Sequence, residues 1–339
     1  MAKRAFITAT TGQEGSYLAE FLLEKGYEVH GMVPRSSSFE NHRIKHNCSD
    51  VHRPDTELFL HHGDLTDGQN IMHLILDLEP DEIYNLDAQN HVNVSFQSPQ
   101  STVQATGIGA LNVLEAARQL SRTKSPKVYQ ASSSEMFGKV QESPQNEKTG
   151  FHPQSPYACA KVFAFHQTVN YREAYDLFAV NGILFNHESP RRSEQFVTRK
   201  ITRAATRIKL GLQDKLYLGN LEAKRDWGYA KDYVAGMWQM LQHDKPEDFV
   251  LATGKAHTIR DFLKYSFEYL QLDWTQYVET DPQFLSTTEA NRLVGDYTKA
   301  KKTLGWEPTV SCKELAELMV DHDLQLARDE ATQLSASSK

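Results

Sequence analysis

Tyr157 and Lys161 are four residues apart in the stretch that begins at Ser155. On a helix this spacing places a phenol and an ammonium on one face, where the cation can lower the pKa of the phenol and make it a usable base near neutral pH. Ser133 and Glu135 end a strand-like run upstream and add a hydroxyl and a second acid/base group. Together the four residues predict oxidation of an alcohol to a ketone, with a carboxylate that simple dehydrogenation does not need. A Tyr and Lys pair at helical spacing also occurs by chance, so this interpretation depends on the elements around it.

A glycine-containing turn near the N-terminus provides the first such element. It lies between a predicted strand, residues 4–8, and an apolar-periodic helix that carries Tyr17. Gly12 and Gly15 therefore fall at a strand-to-helix turn, where a dinucleotide pyrophosphate binds helix N-terminal amides. The usual pattern has a further glycine where this chain has Ala9, and a methyl group there crowds the turn.

The end of the second predicted strand distinguishes between the two nicotinamide dinucleotides. Residues 28–33 form this strand, and Pro34-Arg35-Ser36-Ser37-Ser38 follows it. An NAD site places Asp or Glu at this point to bind the ribose 2′-hydroxyl, whereas an arginine pairs with a 2′-phosphate. Arg35 therefore predicts NADP as the cofactor, the alternative being that it is only a solvated charge at a strand end.

Strand-like and helix-like segments alternate through the first half of the chain, which is typical of a parallel sheet covered on both faces. The predicted strands are residues 4–8, 28–33, 58–62, 82–85, 127–132 and 180–184, and the main predicted helices are residues 71–78, 103–120, 196–210, 230–241, 259–270 and 312–326. We expect an α/β protein with a doubly wound parallel sheet of the Rossmann type and a smaller C-terminal substrate lobe. Residues 1–184 are expected to form the NADP-binding domain, to which some later segments return, 185–330 mainly the substrate lobe, and 331–339 a flexible tail.

Length and charge limit the classes of function. The chain has 339 residues and a formal net charge of −7 at pH 7, so it can bury a full core but lacks the basic surface of a nucleic-acid-binding protein. Its three cysteines, Cys48, Cys159 and Cys312, share no metal-ligand spacing and indicate a reducing compartment. With no signal-peptide pattern and no membrane-length apolar run, we expect a cytoplasmic protein without a membrane partner or a bound metal.

A local basic cluster stands out from this acidic background. Its members are Arg191, Arg192, Arg199, Lys200 and Arg203. In an acidic chain such a cluster suits a small phosphorylated ligand better than a polymer, although a solvated helix face is the alternative.

Three long stretches carry a resemblance to a known family. They are GSYLAEFLLEKGY from Gly15, GILFNHESPRR from Gly182 and AKRDWG from Ala223. Through them the chain resembles the GDP-mannose 4,6-dehydratases of the extended short-chain dehydrogenase/reductase family, from Arg4 to about Arg328. The resemblance implies a Rossmann-type fold, NADP as cofactor, a GDP-hexose as substrate and a homo-oligomer, either a dimer or a tetramer.

The resemblance also implies roles for individual residues. Ser133 occupies the position of a catalytic Ser or Thr, Glu135 that of the acid/base, and Tyr157 with Lys161 that of the hydride-transfer pair. Cofactor contacts are expected at Gly12, Gln13, Glu14, Gly15, Arg35, Ser36, Asp64, Leu65, Leu86, Ala88, Gln89, Tyr157, Lys161, His187 and Arg192. Contacts with the GDP-sugar are expected at Asn186, Val197, Lys200, Asn220 and Arg225.

The implied reaction oxidises the hexose at C4, removes water across C5 and C6, and returns the hydride to C6. The product is a 4-keto-6-deoxy sugar, with no net redox change. This chain departs from the family pattern at Ala9, Pro34, Asp87, Ser193, Gln195, Ser286 and Thr287, which cluster around the expected ligand sites.

Two other hypotheses remain open. In the first, the chain is a diverged epimerase or oxidoreductase that acts on another sugar nucleotide. In the second, it is a nonenzymatic NADP-binding paralogue. Glu135 argues against an epimerase, because a 4-epimerase needs no acid at C5 or C6. The intact set of four acid/base residues argues against a nonenzymatic protein.

Overall fold

The computed structural model describes residues 2–34, 43–44, 58–88, 92–281, 283 and 293–337. In chain order its strands are β1 (Arg4–Ile7), β2 (Glu28–Val33), β3 (Leu58–His62), β4 (Glu82–Asn85), β5 (Lys127–Ser133), β6 (Phe178–Leu184), β7 (Asn186–Glu188), β8 (Leu216–Leu218), β9 (Lys224–Arg225), β10 (Trp227–Tyr229), β11 (Phe249–Leu251), β12 (His257–Thr258) and β13 (Val278–Thr280). Across these described ranges, seven strands form one sheet in the order β11-β6-β5-β4-β1-β2-β3, and all neighbours in it are parallel. This is the strand order of a doubly wound fold.

The helices are α1 (Gln13–Glu24), α2 (Gly68–Leu78), α3 (Val92–Gln97), α4 (Pro99–Thr102), α5 (Gly109–Leu120), α6 (Pro156–Tyr175), α7 (Val197–Lys209), α8 (Ala230–Gln242), α9 (Ile259–Tyr269), α10 (Thr298–Leu304) and α11 (Cys312–Ser337). A π-helical segment, Val103–Ile108, joins α4 to α5, and a 3₁₀ turn, Ser134–Met136, follows β5. Among helices in the described ranges, none combines the length and apolar content needed to cross a bilayer.

Helices cover both faces of the large sheet. On one face α1 and α8 bury Leu18, Leu22 and Met237 against the strands, and on the other α2 and α5 bury Ile71 and Val113. Because both faces are covered, most residues of the central strands β1, β4, β5 and β6 are buried. The predicted α/β doubly wound fold is confirmed.

The sheet order reverses between β1 and β4, and this creates the crevice in which ligands of such folds bind. Thr8, directly after β1, fixes the crevice wall, because its hydroxyl accepts the backbone N–H groups of Leu86 and Asp87 at 2.9 and 3.0 Å. On the other side, α1 approaches the turn so closely that a Cβ on Gly15 would lie 2.2 Å from the carbonyl oxygen of Ala9. Only glycine fits at that position.

A second hydrophobic core lies among α7, α9 and α11, with Ile201, Phe262 and Leu315 at its centre. Helix α7 is tied to α11 by the buried ion pair of Arg199 and Asp323, with Nη2 and Oδ1 2.8 Å apart. Helix α11 continues to Ser337, so most of the segment 331–339, for which the sequence predicts a flexible tail, is helical.

Candidate active site

Two adjoining cavities occupy the crevice. The first, of about 150 Å³, is called here the catalytic cavity, and its lining includes Ser133, Glu135, Tyr157, Lys161, Asn186 and His187. The second, of about 500 Å³, is called the turn cavity, and its lining includes Gly12, Gln13, Met32, Pro34, Arg43 and Asp87. Glu14, Leu86, Ala88, Arg192 and Phe196 line both cavities. The structure therefore brings all four predicted catalytic residues to one cavity, next to the glycine turn.

The start of α6 positions the Tyr and Lys pair. Ser155 caps this helix by accepting the backbone N–H of Ala158 at 3.1 Å, and Pro156 occupies its first position. A proline is favoured there because its missing N–H and fixed φ suit the first turn. Tyr157 and Lys161 follow within the first two turns, and both are buried.

Lys161 is held by the backbone of β5. Its Nζ donates to the carbonyl oxygen of Ala131 at 2.6 Å and lies 5.8 Å from the centre of the Tyr157 ring. Burial lowers the pKa of Lys161 to about 8, against the charges of Asp87 and Glu14, which raise it. Lys161 is therefore an ammonium at neutral pH, and one that can titrate at mildly alkaline pH.

The pKa of the Tyr157 phenol is raised, whereas the sequence predicts that Lys161 lowers it. Burial raises the pKa of Tyr157, and a hydrogen bond with Ser133 opposes the shift. The helical spacing does place Tyr157 and Lys161 in one cavity, but the ammonium donates to a carbonyl rather than to the phenol. Desolvation of the phenolate therefore outweighs the hydrogen bond with Ser133 and the charge of Arg192, which lower the pKa.

Glu135 lies in the 3₁₀ turn after β5, and its backbone N–H donates to the hydroxyl of Ser133 at 3.2 Å. Burial raises the pKa of the Glu135 carboxyl, and the positive charge of Arg225 opposes the shift. A carboxyl group with a raised pKa can both accept and donate a proton near neutrality.

A cluster of opposite charges forms the wall between the two cavities. Oε1 of Glu14 lies 2.7 Å from Nε2 of His187 and 4.0 Å from Nη1 of Arg192, and Nε of Arg192 lies 3.2 Å from Oε2 of Glu188. Burial opposes ionisation of Glu14, but the hydrogen bond and charge of His187, followed by the charge of Arg192, hold the pKa of Glu14 well below its usual range.

The glycine turn fits a dinucleotide. Helix α1 begins directly after Gly12, with its first N–H groups toward the turn cavity, which Ala9, Thr11 and Gly12 line. Ala9 takes a φ of 52°, the left-handed conformation that a glycine adopts without strain. The turn therefore keeps its shape despite the methyl group. In the described ranges, no group of three or more His, Cys, Asp or Glu side chains is arranged to hold a metal ion.

Several predicted site residues lie outside the linings of both cavities. They are Gly15, Asp64, Leu65, Val197, Lys200, Asn220 and Arg225. Leu65 is buried in the core, and Lys200 donates to the backbone carbonyl of Tyr217 at 2.8 Å. Arg225 nevertheless acts on the catalytic cavity through its charge on Glu135. Arg35, Ser36 and Gln89 lie outside the described residues, as do Ser286 and Thr287.

The structure adds residues that the sequence analysis did not select. Phe196 lines both cavities, and the guanidinium carbon of Arg192 lies 3.5 Å from the centre of its ring. Arg43 lines the turn cavity. Neither stands in a recognisable motif, and only the folded chain brings them to the crevice.

The sheet order, the glycine turn and the Tyr and Lys pair define a nucleotide-binding protein of the short-chain dehydrogenase/reductase class. The solved structure of UDP-glucose 4-epimerase from Thermus thermophilus in complex with NAD has a similar fold, with a TM-score of 0.79 and 26% identity, and the match covers 94% of this chain and 98% of that one.

Comparison with protein families is more specific. The family model for GDP-mannose 4,6 dehydratase matches residues 6–319. GDP-mannose 4,6 dehydratase 2 of Arabidopsis thaliana is 55% identical over 337 residues, which cover 98% of this chain and 90% of that protein. The human GDP-mannose 4,6 dehydratase is 50% identical over 342 residues, covering 96% and 92%. The chain belongs to the GDP-mannose 4,6-dehydratase family, and the resemblance seen in the sequence is confirmed.

Proposed function

We propose that this chain is an NADP-dependent GDP-mannose 4,6-dehydratase. The observation that carries the proposal is the meeting of Ser133, Glu135, Tyr157 and Lys161 in one cavity, beside a glycine turn that fits a dinucleotide. Family membership supports GDP-mannose as the substrate. The carboxylate argues for dehydration over epimerisation, because an epimerase at C4 has no step for it.

The proposal gives each residue one task. Tyr157 takes the proton of the hexose 4-hydroxyl, and Ser133 hydrogen-bonds the same oxygen. Tyr157 takes this proton as the phenolate, which the ammonium of Lys161 stabilises. A bound nicotinamide supplies the hydride acceptor for oxidation at C4 and the donor for reduction at C6.

Glu135 carries the step that removes water. A ketone at C4 makes the C5 proton acidic, and Glu135 removes that proton and delivers one to the departing C6 hydroxyl. The raised pKa of the Glu135 carboxyl suits both halves of this exchange. The glycine turn and loop 86–88 would hold the dinucleotide beside these groups, since both line the turn cavity.

The direct test is incubation of the purified protein and NADP with GDP-mannose, and in parallel with UDP- and dTDP-hexoses. Mass spectrometry follows the loss of water. Loss of water from GDP-mannose, and not from the UDP- or dTDP-hexoses, supports the proposal. Conversion of a sugar to its epimer without loss of mass would favour an epimerase.

Two variants separate the steps. Tyr157→Phe should abolish turnover, with a loss of roughly 100-fold or more, because the base for the first step is gone. Tyr175→Phe is the matched control, since Tyr175 lies on the same helix and is 51% exposed.

Glu135→Gln should leave NADP binding unchanged and block loss of water. NADP binding is measured by the rise in melting temperature, and the product by mass spectrometry. An unchanged rate of 6-deoxy product in this variant would refute the role given to Glu135.

Assembly and location are part of the same proposal. We infer a homo-oligomer in the cytoplasm. Phe96, Val103 and Phe163 expose large apolar side chains on α3, the π-helical segment and α6, and α6 contacts the other two elements. Cys159 and Cys312 are free thiols, as expected in a reducing compartment. Light scattering coupled to size exclusion measures the oligomeric state.

A further inference from the structure

Asp226 joins two short strands that both act on the catalytic cavity, although it lines neither cavity itself. It follows β9, which ends at Arg225, and precedes β10, which begins at Trp227. Asp226 is buried, with 1% of the residue exposed. A buried carboxylate is costly unless hydrogen bonds or charges replace the water that it loses, so its partners indicate what it does.

Four hydrogen-bond donors from two loops hold the carboxylate of Asp226. Oδ1 accepts the backbone N–H of Thr253 at 2.8 Å and its hydroxyl at 2.6 Å, and Oδ2 accepts the N–H groups of Gly254 at 3.0 Å and Gly295 at 3.2 Å. Four donors are about as many as a carboxylate can accept. Burial raises the pKa of Asp226, and these hydrogen bonds oppose the shift. Asp226 thus ties the junction of β9 and β10 to the loop after β11 and to the segment before α10.

Both of these loops pack behind a wall of the catalytic cavity. A Cβ on Gly295 would lie 2.3 Å from the Cβ of Ala252 and 2.7 Å from the ring of Phe185, which lines the cavity. The backbone N–H of Phe185 donates to the carbonyl oxygen of Leu251, at the end of β11, at 3.0 Å. The points to which Asp226 is anchored are therefore themselves fixed against the cavity.

Strand β10, on one side of Asp226, supports another part of the same wall. It pairs in parallel with β7, and Trp227 lies opposite Asn186, which lines the catalytic cavity. Trp227 is buried and packs against Phe262, with ring centres 5.5 Å apart. This strand gives the junction at Asp226 a rigid connection to the cavity.

Strand β9, on the other side of Asp226, carries Arg225. Among the side chains that the structure describes, Arg225 is the one whose charge lowers the pKa of Glu135, against the effect of burial. The effect of one charge on another depends on the distance between them, so the effect of Arg225 depends on where its strand is held. The other titratable residues in the lining of this cavity are Glu14, Tyr157, Lys161, His187 and Arg192.

We propose that Asp226 is a positioning residue, which fixes Arg225 beside Glu135 by tying the junction of β9 and β10 to the two loops. The inference rests on the proposed function, because it assigns Asp226 to the step that Glu135 performs.

The test follows the titration of Glu135 itself. Protein that is isotope-labelled at the glutamate carboxyl carbons is titrated by NMR, and the signal of Glu135 is identified by its loss in Glu135→Gln. Arg225→Gln should move the titration of Glu135 to higher pH, because the charge that favours the carboxylate is lost. Asp226→Asn should move it in the same direction, because Arg225 is no longer held in place.

The direction of the shift separates positioning from a direct effect of charge. Loss of the negative charge of Asp226 by itself favours the carboxylate of Glu135 and would move its titration to lower pH. A shift to higher pH in Asp226→Asn therefore reports the displacement of Arg225. For the same reason, Arg225→Gln combined with Asp226→Asn should shift the titration no further than Arg225→Gln alone.

The pH profile of kcat gives a second measurement. Glu135 must be ionised to take the C5 proton, so the rate falls as the pH drops through its pKa. In Asp226→Asn we expect kcat with GDP-mannose to fall roughly two- to tenfold on the acid side of the profile and less than about twofold above neutrality.

Asp232→Asn is the matched control. Asp232 also accepts both the backbone N–H and the hydroxyl of one threonine, Thr309, at 2.9 and 2.6 Å, and it lines neither cavity. This substitution should leave the titration of Glu135 unchanged, whatever it costs in stability. If Asp226→Asn does not fold, Thr253→Val takes its place: it removes one of the four hydrogen bonds without changing a charge and should give a smaller shift to higher pH.

An unchanged titration of Glu135 in Asp226→Asn, or in Thr253→Val where that variant takes its place, would overturn the proposal, and so would a shift to lower pH. It would also be overturned if Glu135 titrated normally in Arg225→Gln, or if the double variant showed the sum of the two single shifts. If the shifts occur as expected but GDP-mannose is not dehydrated, the assignment of Asp226 stands and the proposed reaction fails.

Discussion

At the level of single residues, the protonation of Lys161 sets a limit on the proposed reaction. Burial lowers the pKa of Lys161 to about 8, so the ammonium loses its proton as the pH rises through this value. We therefore expect kcat to fall above about pH 8. A pH profile of kcat with GDP-mannose measures this, and a rate that stays constant to about pH 10, near the ordinary pKa of a lysine, would contradict it.

Asp87 provides a test of whether deprotonation of Lys161 causes the fall in kcat. Its charge is the largest that raises the pKa of Lys161, so Asp87→Asn should move the alkaline limb to lower pH. At pH 8 we expect kcat to fall about two- to fivefold, with a smaller effect near neutrality. Asp77→Asn removes an exposed carboxylate from α2 and should leave the profile unchanged.

At the level of single elements, the turn between β1 and α1 contains backbone strain that one substitution should remove. Ala9 has a φ of 52°, which is unfavourable for a residue with a Cβ. Ala9→Gly should stabilise the protein by about 0.5–1 kcal/mol, the relief of strain being partly offset by the greater freedom of glycine in the unfolded chain. Denaturant unfolding measures the change.

Ala174→Gly gives the comparison for Ala9→Gly. Ala174 is exposed within α6, where glycine should destabilise by about 0.5–1 kcal/mol. If both substitutions destabilise by the same amount, the strain assigned to Ala9 is wrong.

A pair of histidines, His30 and His61, joins β2 to β3. Nδ1 of His30 lies 2.9 Å from Nε2 of His61, and Nε2 of His30 lies 2.8 Å from Oε1 of Glu28. Burial lowers the pKa of His30 and of His61 below the ordinary histidine value of 6.5. The unfolded chain therefore binds more protons than the folded one just below that value, and stability should fall as the pH drops through it.

Urea midpoints measured across this pH range test the effect of the histidine pair. His61→Gln should reduce the dependence on pH, because one of the two titrating groups is lost. His73→Gln is the control, since His73 is exposed on α2. A pH dependence that is equal in the two variants would refute the role of the pair.

The sequence predicts most elements, because they are long enough to show a repeating apolar pattern. The strand Glu28–Val33 has the predicted bounds, and α7 and α9 each begin within a residue of prediction. Strand β11 is missed because three residues carry no readable period, although pairing with β6 fixes it at the sheet edge. The π-helical segment is read as part of one α-helix, since its extra residue depends on packing against α6 and leaves no local signal.

In the candidate site too, residues in local sequence patterns are predicted, whereas residues placed by tertiary packing are missed. The four proposed catalytic residues belong to local patterns, a strand end and a helix start, and they meet because parallel strands share one carboxyl edge. Arg43 and Phe196 reach the cavities only through tertiary packing. The hydrogen bond of Lys161 to Ala131 also depends on how β5 and α6 pack, so spacing alone gave the wrong direction for the pKa of Tyr157.

At the level of the whole molecule, Arg199 links the C-terminal helix to the cavities. Its guanidinium binds the buried carboxylate of Asp323 on α11 and donates to the backbone carbonyls of Pro190 and Arg192. Thr202 donates to the same carboxylate at 2.6 Å. A residue of α11 that lines neither cavity thus holds the segment that carries Arg192.

Asp323→Ala should destabilise the protein by about 3–5 kcal/mol, because it leaves the Arg199 charge buried without its partner. It should also weaken NADP binding, since Arg192 loses its support. Asp321→Ala removes an exposed carboxylate from the same helix and should change neither quantity by more than about 0.5 kcal/mol. Removing both charges, in Arg199→Met with Asp323→Leu, should cost less stability than Asp323→Leu alone, because no unpaired charge is left in the core. If the double variant is as unstable as the sum of the single ones, the two residues act independently and the proposed link between α11 and the cavities fails.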